Sequence, residues 1–111
     1  MKKTNPSFLN GVPELLVLKL LSGREMYGYE IVQAIQTETK NSLCFGEGCI
    51  YPYLHYFEKE RLVSSRRQEV DGRNRYYYQI TPRGRKRLKE LSADWCRVAE
   101  SIGLVMGGKY A

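Results

Sequence analysis

Apolar residues in the stretch 46–62 recur with the period of an α-helix. Ile50, Leu54 and Phe57 are spaced i, i+4 and i+7, which places all three on one helical face. Polar and amphipathic side chains occupy the other side: Cys49, Tyr53, His55, Tyr56 and Lys59. Pro52 allows either a helix that begins near residues 49–50 or a helix that bends at the proline. We therefore predict an amphipathic helix with hydrogen-bonding groups on its outward face.

Two other helical patterns precede this stretch. Residues 12–21 are apolar nearly all round, which is typical of a helix buried on more than one side, and Pro13 suits a first helical position. Residues 26–39 carry one apolar stripe, formed by Tyr27, Ile31, Ala34 and Ile35. The apolar residues 43–45 fit either a short strand or a loop tucked against the core. The sequence thus predicts two helices before the amphipathic one.

A β-hairpin pattern follows it. Residues 62–70 begin apolar and become polar, residues 71–74 have the composition of a turn, and residues 75–80 alternate in a manner typical of a half-buried strand. The alternation places Tyr76, Tyr78 and Ile80 on one face of the sheet. A helix followed by a hairpin is the second half of a winged helix-turn-helix. We therefore predict a mainly α protein with a small β-hairpin wing.

The last helix has an unusual apolar pattern. Thr81 and Pro82 provide a helix cap and a first-position proline, and the helix is predicted to extend toward Gly107 and Gly108. Its apolar residues follow alternating steps of three and four: Leu88, Leu91, Trp95, Val98, Ile102 and Val105. Such a narrow seam is typical of helices that pair with another helix. We expect pairing with a second copy of the chain, and packing within one subunit is the alternative.

The chain of 111 residues is long enough for one domain with one core. Residues 1–10 are predicted to be a flexible N-terminal arm. Residues 11–81 are predicted to be a winged helix-turn-helix DNA-binding domain, and residues 82–108 a C-terminal dimerisation helix.

Charge indicates the class of partner. The formal net charge is +6, and half of the 18 basic residues lie between positions 66 and 89. These residues are Arg66, Arg67, Arg73, Arg75, Arg83, Arg85, Lys86, Arg87 and Lys89. A solvated surface is the simpler explanation, but clustering around a hairpin favours contact with nucleic acid.

Other functional classes find little support. No apolar run is long enough to span a membrane and no signal peptide pattern is present, so a cytoplasmic protein is expected. The odd number of cysteines, three, fits a reducing compartment. Cys44, Cys49 and His55 match no common zinc spacing, so no metal or cofactor is expected. His55 is the only histidine and lacks a catalytic partner, so an enzyme is not expected.

Four segments between residues 15 and 91 resemble the PadR family of transcriptional regulators. They are Met26-Tyr-Gly-Tyr-Glu-Ile, Gly48-Cys-Ile-Tyr-Pro-Tyr-Leu, Phe57-Glu-Lys-Glu-Arg-Leu-Val and Gly72-Arg-Asn-Arg-Tyr-Tyr-Tyr-Gln-Ile-Thr-Pro-Arg-Gly. The resemblance implies a winged helix-turn-helix with a C-terminal dimerisation helix. A single such helix resembles the short branch of the family, which includes multidrug-sensing repressors, and Trp95 matches the tryptophan-bearing helix of that branch.

The residues and the resemblance together predict three sites. The DNA-binding site comprises Cys49, Tyr51, Tyr53, His55, Tyr56, Arg73, Asn74 and Arg75, although Tyr51 could instead pack under the wing. The dimer interface comprises Leu15, Leu18, Leu88, Leu91, Trp95, Val98, Ile102 and Val105. A site for a small aromatic effector comprises Trp95, Val98 and Ala99, unless Trp95 only fills the interface.

We therefore expect a sequence-specific regulator of transcription, a repressor. It would bind double-stranded DNA as a homodimer at a pseudo-palindromic operator and be released by a small aromatic ligand. The alternative is a winged-helix module that contacts RNA or another protein without an effector.

Overall fold

The computed structural model describes residues 9–107, and these form one winged helix-turn-helix with a long C-terminal helix. In chain order its elements are α1 (Val12–Gly23), β1 (Met26–Tyr27), α2 (Gly28–Glu38), α3 (Glu47–Lys59), β2 (Val63–Val70), β3 (Arg73–Ile80) and α4 (Pro82–Met106). The predicted fold class is confirmed. The predicted N-terminal arm falls mainly on residues 1–8, which lie outside the described residues, as does residue 108.

The core lies where α1, α2 and α3 meet the base of the hairpin. Its most deeply buried side chains come from the three helices and from β1: Val17, Leu18, Met26, Ile31, Ile50, Leu54 and Phe57. Leu18 is 0% exposed within a single chain, so it has no surface to offer a partner subunit. The structure therefore places Leu18, predicted as an interface residue, in the core of a single subunit. Since α1 is apolar nearly all round, the sequence pattern could not show which of its faces the core covers.

The sheet has three strands in the order β1-β3-β2, all antiparallel. Residues 26–27, predicted to begin α2, instead form β1, where Met26 pairs with Tyr78 and Tyr27 pairs with Tyr77. Two residues are too few to show an alternating pattern, so the sequence did not reveal this strand. It matters because β1 holds the start of α2 against the wing.

The wing turn is tighter than predicted. Only Asp71 and Gly72 connect the strands, with φ values of 51° and 75° that match a type I′ turn, and β3 begins at Arg73. Within β3, Tyr78 and Ile80 are buried as the alternation predicts, but Tyr76 is exposed because the wing extends beyond the core at that point.

The helix α3 begins at Glu47, earlier than the start near residues 49–50 that was one of two alternatives, and Pro52 is its sixth residue. The preceding residues 43–45 contain no strand, and Phe45 is buried, so the loop alternative is correct there.

The start of α4 is fixed to the end of α3 and the base of the wing. The Thr81 hydroxyl accepts a hydrogen bond from the Gly84 N–H (3.0 Å) and donates one to the Arg61 carbonyl (2.7 Å). The Thr81 N–H donates to the Leu62 carbonyl (3.0 Å). Gly84 lies so close that a Cβ added to it would be 2.0 Å from the same carbonyl oxygen. A side chain at this position would separate the two segments, so the junction is both capped and closely packed.

Candidate nucleic-acid interface

The outward face of α3 is defined by the residues that it buries. Because Ile50, Leu54 and Phe57 are completely buried, the opposite side of the helix faces solvent. His55 and Tyr56, both predicted DNA contacts, lie on this side and are exposed. Three further residues share the exposed face and were not predicted as contacts: Gly48, Pro52 and Lys59. A helical projection from the buried stripe would have found them.

A groove of about 220 Å³ runs between α3 and the wing. Four of the predicted DNA-binding residues line it together: Tyr51, His55, Asn74 and Arg75. The remaining lining comes from the β1–α2 junction and from β3: Tyr27, Gly28, Tyr76 and Tyr78. We call this feature the α3–wing groove. Its aromatic walls and its arginine suit a partner that is both flat and negatively charged.

Tyr51 forms one wall of the α3–wing groove because α2 begins with a glycine. A Cβ added at Gly28 would lie 2.2 Å from the Cε1 atom of Tyr51, so the ring packs directly on the backbone of α2. Burial raises the pKa of the Tyr51 phenol, and the nearby Glu47 carboxylate raises it further. Tyr51 therefore both packs beside the wing and lines the groove.

Gly28→Ala is expected to lower the free energy of unfolding by about 1–3 kcal/mol and to displace Tyr51, since the added methyl group overpacks this contact. Gly23→Ala is the matched control, because a Cβ there has no neighbour within 4 Å. Urea denaturation of both variants measures the difference. Equal stabilities would show that the close contact of Gly28 with Tyr51 is unimportant.

Cys49 and Tyr53 lie on the other flank of α3 and do not line the α3–wing groove. The Tyr53 ring packs against Phe57 with centroids 5.9 Å apart. Burial raises the pKa of both the Cys49 thiol and the Tyr53 phenol, and Glu14 of α1 contributes to the shift of Tyr53. The structure thus separates these two residues from the four predicted contacts that line the groove.

The wing is held to β1 by alternating arginines and tyrosines. The Arg75 guanidinium lies 4.4 Å from the centroid of the Tyr27 ring. Tyr27 meets Tyr77 edge-on at 5.5 Å, and Arg66 lies 4.8 Å from the Tyr77 ring centroid. These contacts fix the position of Arg75 at the groove. Sequence reasoning missed the role of Tyr27 because it placed that residue in a helix.

The basic residues of the wing are not equivalent. Arg66 forms an ion pair with Glu25, and this contact holds the pKa of the Glu25 carboxyl below its ordinary value of 4.5. Arg73 directly follows the turn and is exposed, and it has no ion-pair partner among residues 9–107. Arg73 is therefore more available to an external anion than Arg66.

The seam of α4 leaves a large apolar surface uncovered in a single chain. Trp95, Val98, Ile102 and Val105 are 56%, 40%, 51% and 87% exposed. Leu88 and Leu91 are half-buried and pack against the core. Exposed clusters of this kind mark contact surfaces in soluble proteins.

An apolar groove of about 340 Å³ lies between the start of α1 and this seam. It brings together two predicted effector residues, Trp95 and Val98, with the predicted interface residue Leu15. The other residues around it are Asn10, Gly11, Val12, Leu91, Asp94 and Ile102. Ala99, the third predicted effector residue, is half-buried and does not line this groove. We call this feature the α1–α4 groove.

Neither a metal site nor a membrane span is evident in the described part of the chain. No group of three or more histidine, cysteine, aspartate or glutamate side chains is arranged to hold a metal ion there. No helix within residues 9–107 is both long and apolar enough to cross a membrane.

Comparison with known proteins identifies the family. The model of the "Transcriptional regulator PadR-like family" matches residues 17–90, which is more than half of the chain. The chain belongs to the PadR-like family. Its members are regulators of transcription, which implies regulation through DNA binding.

One curated relative and two solved structures support this assignment. An uncharacterized protein of Lysinibacillus sphaericus is 36% identical over 101 residues, which cover 90% of this chain and 93% of that protein. A PadR-like regulator of Bacillus cereus has a crystal structure with a TM-score of 0.78 and 31% identity, covering 93% of this chain and 99% of that one. A transcriptional regulator of Clostridium thermocellum superimposes with a TM-score of 0.82 at 29% identity, covering 87% of this chain and 95% of that one. The long α4 helix is therefore part of the shared fold.

Proposed function

We propose that this PadR-like chain is a homodimeric repressor that reads DNA with α3 and the wing. The observation that carries the proposal is the α3–wing groove, where residues from a recognition helix and a hairpin line one cavity. Arg75 supplies a fixed positive charge there, and Arg73 extends the charge to the turn. A phosphate strand at the groove would place the exposed face of α3, including His55, in the major groove.

The exposed seam supports dimerisation. Pairing two α4 helices would cover Trp95, Val98 and Ile102, and burying this apolar area is favourable. A two-fold dimer would present two α3 helices to successive major grooves, about 34 Å apart on one face of the duplex. Such a dimer selects a pseudo-palindromic operator.

The second candidate is a winged-helix module that contacts RNA or a protein. The aromatic lining of the α3–wing groove, with half-buried Tyr27 and Tyr51 and exposed Tyr76, favours it because aromatic rings stack on unpaired bases. This candidate predicts no preference for inverted repeats in duplex DNA.

Fluorescence anisotropy separates the two candidates. The probes are the duplex upstream of the protein's own coding sequence, a scrambled duplex of equal length, and a single-stranded RNA of the same sequence, each at several salt concentrations. Preferential binding to the upstream duplex supports the repressor. Equal binding to both duplexes, or tighter binding to RNA, favours the module.

The α1–α4 groove supports an effector site. Its apolar lining and the half-exposed indole of Trp95 suit a flat aromatic compound, which would stack on the ring near the dimer axis. Because α4 is fixed to the wing through Thr81, a change in the angle between the two α4 helices would move both α3 helices. Ligand and operator would then weaken each other by about 1–3 kcal/mol.

Planar aromatic dyes are expected to quench the fluorescence of Trp95, the only tryptophan in the chain. Operator DNA should reduce the affinity for the dye by about 5–150-fold, the range of typical coupling energies. Titrations with and without DNA measure this. If no dye quenches, or if the affinity is the same in both titrations, Trp95 serves only as an interface anchor.

The cytoplasmic location expected from the sequence stays a prediction.

A further inference from the structure

A second cavity lies on the other flank of α3, away from the wing. Its volume is about 410 Å³, and it forms where α3 ends and α4 begins. Its lining residues are Tyr56, Glu60, Leu62, Arg83, Lys86, Arg87 and Glu90. It shares no residue with the α3–wing groove. We call it the α3–α4 cleft.

The three cations of the α3–α4 cleft differ in availability. Arg87 donates to the Glu14 carboxylate at 3.0 Å, so its charge is already paired within the fold. Arg83 and Lys86 are exposed, and neither forms an ion pair with any residue in the range 9–107. Tyr56 adds an exposed phenol from α3. The cleft therefore offers two free cations and a hydroxyl, which are donors suited to phosphate oxygens.

The charge at the start of α4 is unfavourable for the helix itself. The amino end of a helix carries a partial positive charge that acidic residues stabilise. The first turn of α4 has no acidic residue, and basic residues occupy its first two turns: Arg83, Arg85, Lys86, Arg87 and Lys89. Basic residues at the positive end of a helix oppose its dipole, and such a departure from helix preferences is characteristic of functional surfaces. A negatively charged partner outside the fold would explain why these cations stand here.

The position of the α3–α4 cleft relative to DNA follows from that of α3. A helix in the major groove, which is about 12 Å wide, has one sugar-phosphate strand on each side. The α3–wing groove lies on one side of α3 and the α3–α4 cleft on the other. Farther along, α4 passes from the cleft to the seam at Trp95. The cleft is therefore on the side of α3 from which α4 leads to the dimer seam.

We propose that the α3–α4 cleft binds phosphodiester groups of the operator between its two half-sites, through Arg83, Lys86 and the Tyr56 hydroxyl. This inference rests on the proposed repressor function. Glu60 and Glu90 line the same cleft and oppose the attraction. Glu60→Gln is accordingly expected to tighten DNA binding, opposite in sign to the loss of a cation.

The test compares two double variants that remove equal charge from one helix. Arg83→Gln/Lys86→Gln removes the free cations of the cleft, whereas Arg85→Gln/Lys89→Gln removes two cations that do not line it. For the first, the slope of log K against log salt should fall by up to about 3.6, since a dimer would lose four phosphate contacts at about 0.9 each. The control should retain most of the wild-type slope. Ethylation interference on an operator selected from random duplexes should lose the signals between the half-sites and keep the outer ones.

The outcomes separate this inference from the repressor function. If the wild type binds DNA but both double variants behave alike, the cleft assignment fails and the repressor function stands. If the wild type binds no duplex, both fail. The melting temperature of Arg83→Gln/Lys86→Gln should equal or exceed that of the wild type, and a clear decrease would indicate a structural role instead. A last experiment adds inorganic phosphate at constant ionic strength. If phosphate displaces DNA from the wild type but not from Arg83→Gln/Lys86→Gln, the cleft binds phosphate groups as proposed.

Discussion

Val98→Glu is expected to convert the dimer into monomers and to weaken operator binding at least about a hundredfold, because each half-site alone makes half of the contacts. Val98 occupies the middle of the seam and is 40% exposed in the single chain. Pairing two α4 helices would bury the new carboxylate without a partner, and an unpaired buried charge costs several kcal/mol. Sedimentation equilibrium measures the mass, and anisotropy measures the affinity for DNA.

Ala93→Glu is the matched control. It adds the same charge to the same helix at an exposed position on the side opposite the seam. This variant should remain dimeric with unchanged affinity for DNA. If Val98→Glu remains dimeric, the seam is not the dimer interface. If both variants are monomeric, any added charge on α4 disrupts the dimer.

Arg73→Ala and Arg75→Ala are each expected to weaken binding to all duplexes alike. The slope of log K against log salt should fall by about 1.8 for each, since a dimer loses two phosphate contacts at about 0.9 apiece. Arg75→Ala should have the larger effect on affinity, because it also loses the contact with the Tyr27 ring. Salt titrations by anisotropy measure both quantities.

Two further variants sharpen this test. Lys19→Ala removes an exposed cation from α1 and should leave the slope unchanged. Arg75→Lys keeps the charge but fits the tyrosine ring less well, so the slope should persist while the affinity falls. Wild-type slopes for Arg73→Ala and Arg75→Ala would exclude the wing from the DNA contact.

The fold was largely predictable because most of its elements are long and periodic. The buried stripe Ile50, Leu54 and Phe57 and the cap at Thr81 are local signals that the structure confirms. The strand β1 was not predictable in this way. Its two residues are specified by pairing with Tyr77 and Tyr78, which lie about fifty residues later in the chain.

The candidate site was only partly predictable for a related reason. One groove brings together four residues that the sequence assigned to a single DNA-binding site: Tyr51, His55, Asn74 and Arg75. Tyr53, by contrast, lies on the other flank of α3. The polar residues of α3 occupy its flanks as well as its outward face, so polarity alone does not identify the face. The α3–α4 cleft depends on how α4 leaves the wing, and this depends on contacts between residues distant in sequence.

The most direct test of dimeric DNA reading is half-site spacing. Anisotropy would compare a selected operator with variants carrying insertions of about 5 and about 10 base pairs, half a turn and a full turn, between the half-sites. One dimer should bind each duplex, with a strong loss of affinity at the half-turn insertion and a smaller loss at the full turn. Equal affinity for all three duplexes would show that the chain does not read two half-sites as a dimer.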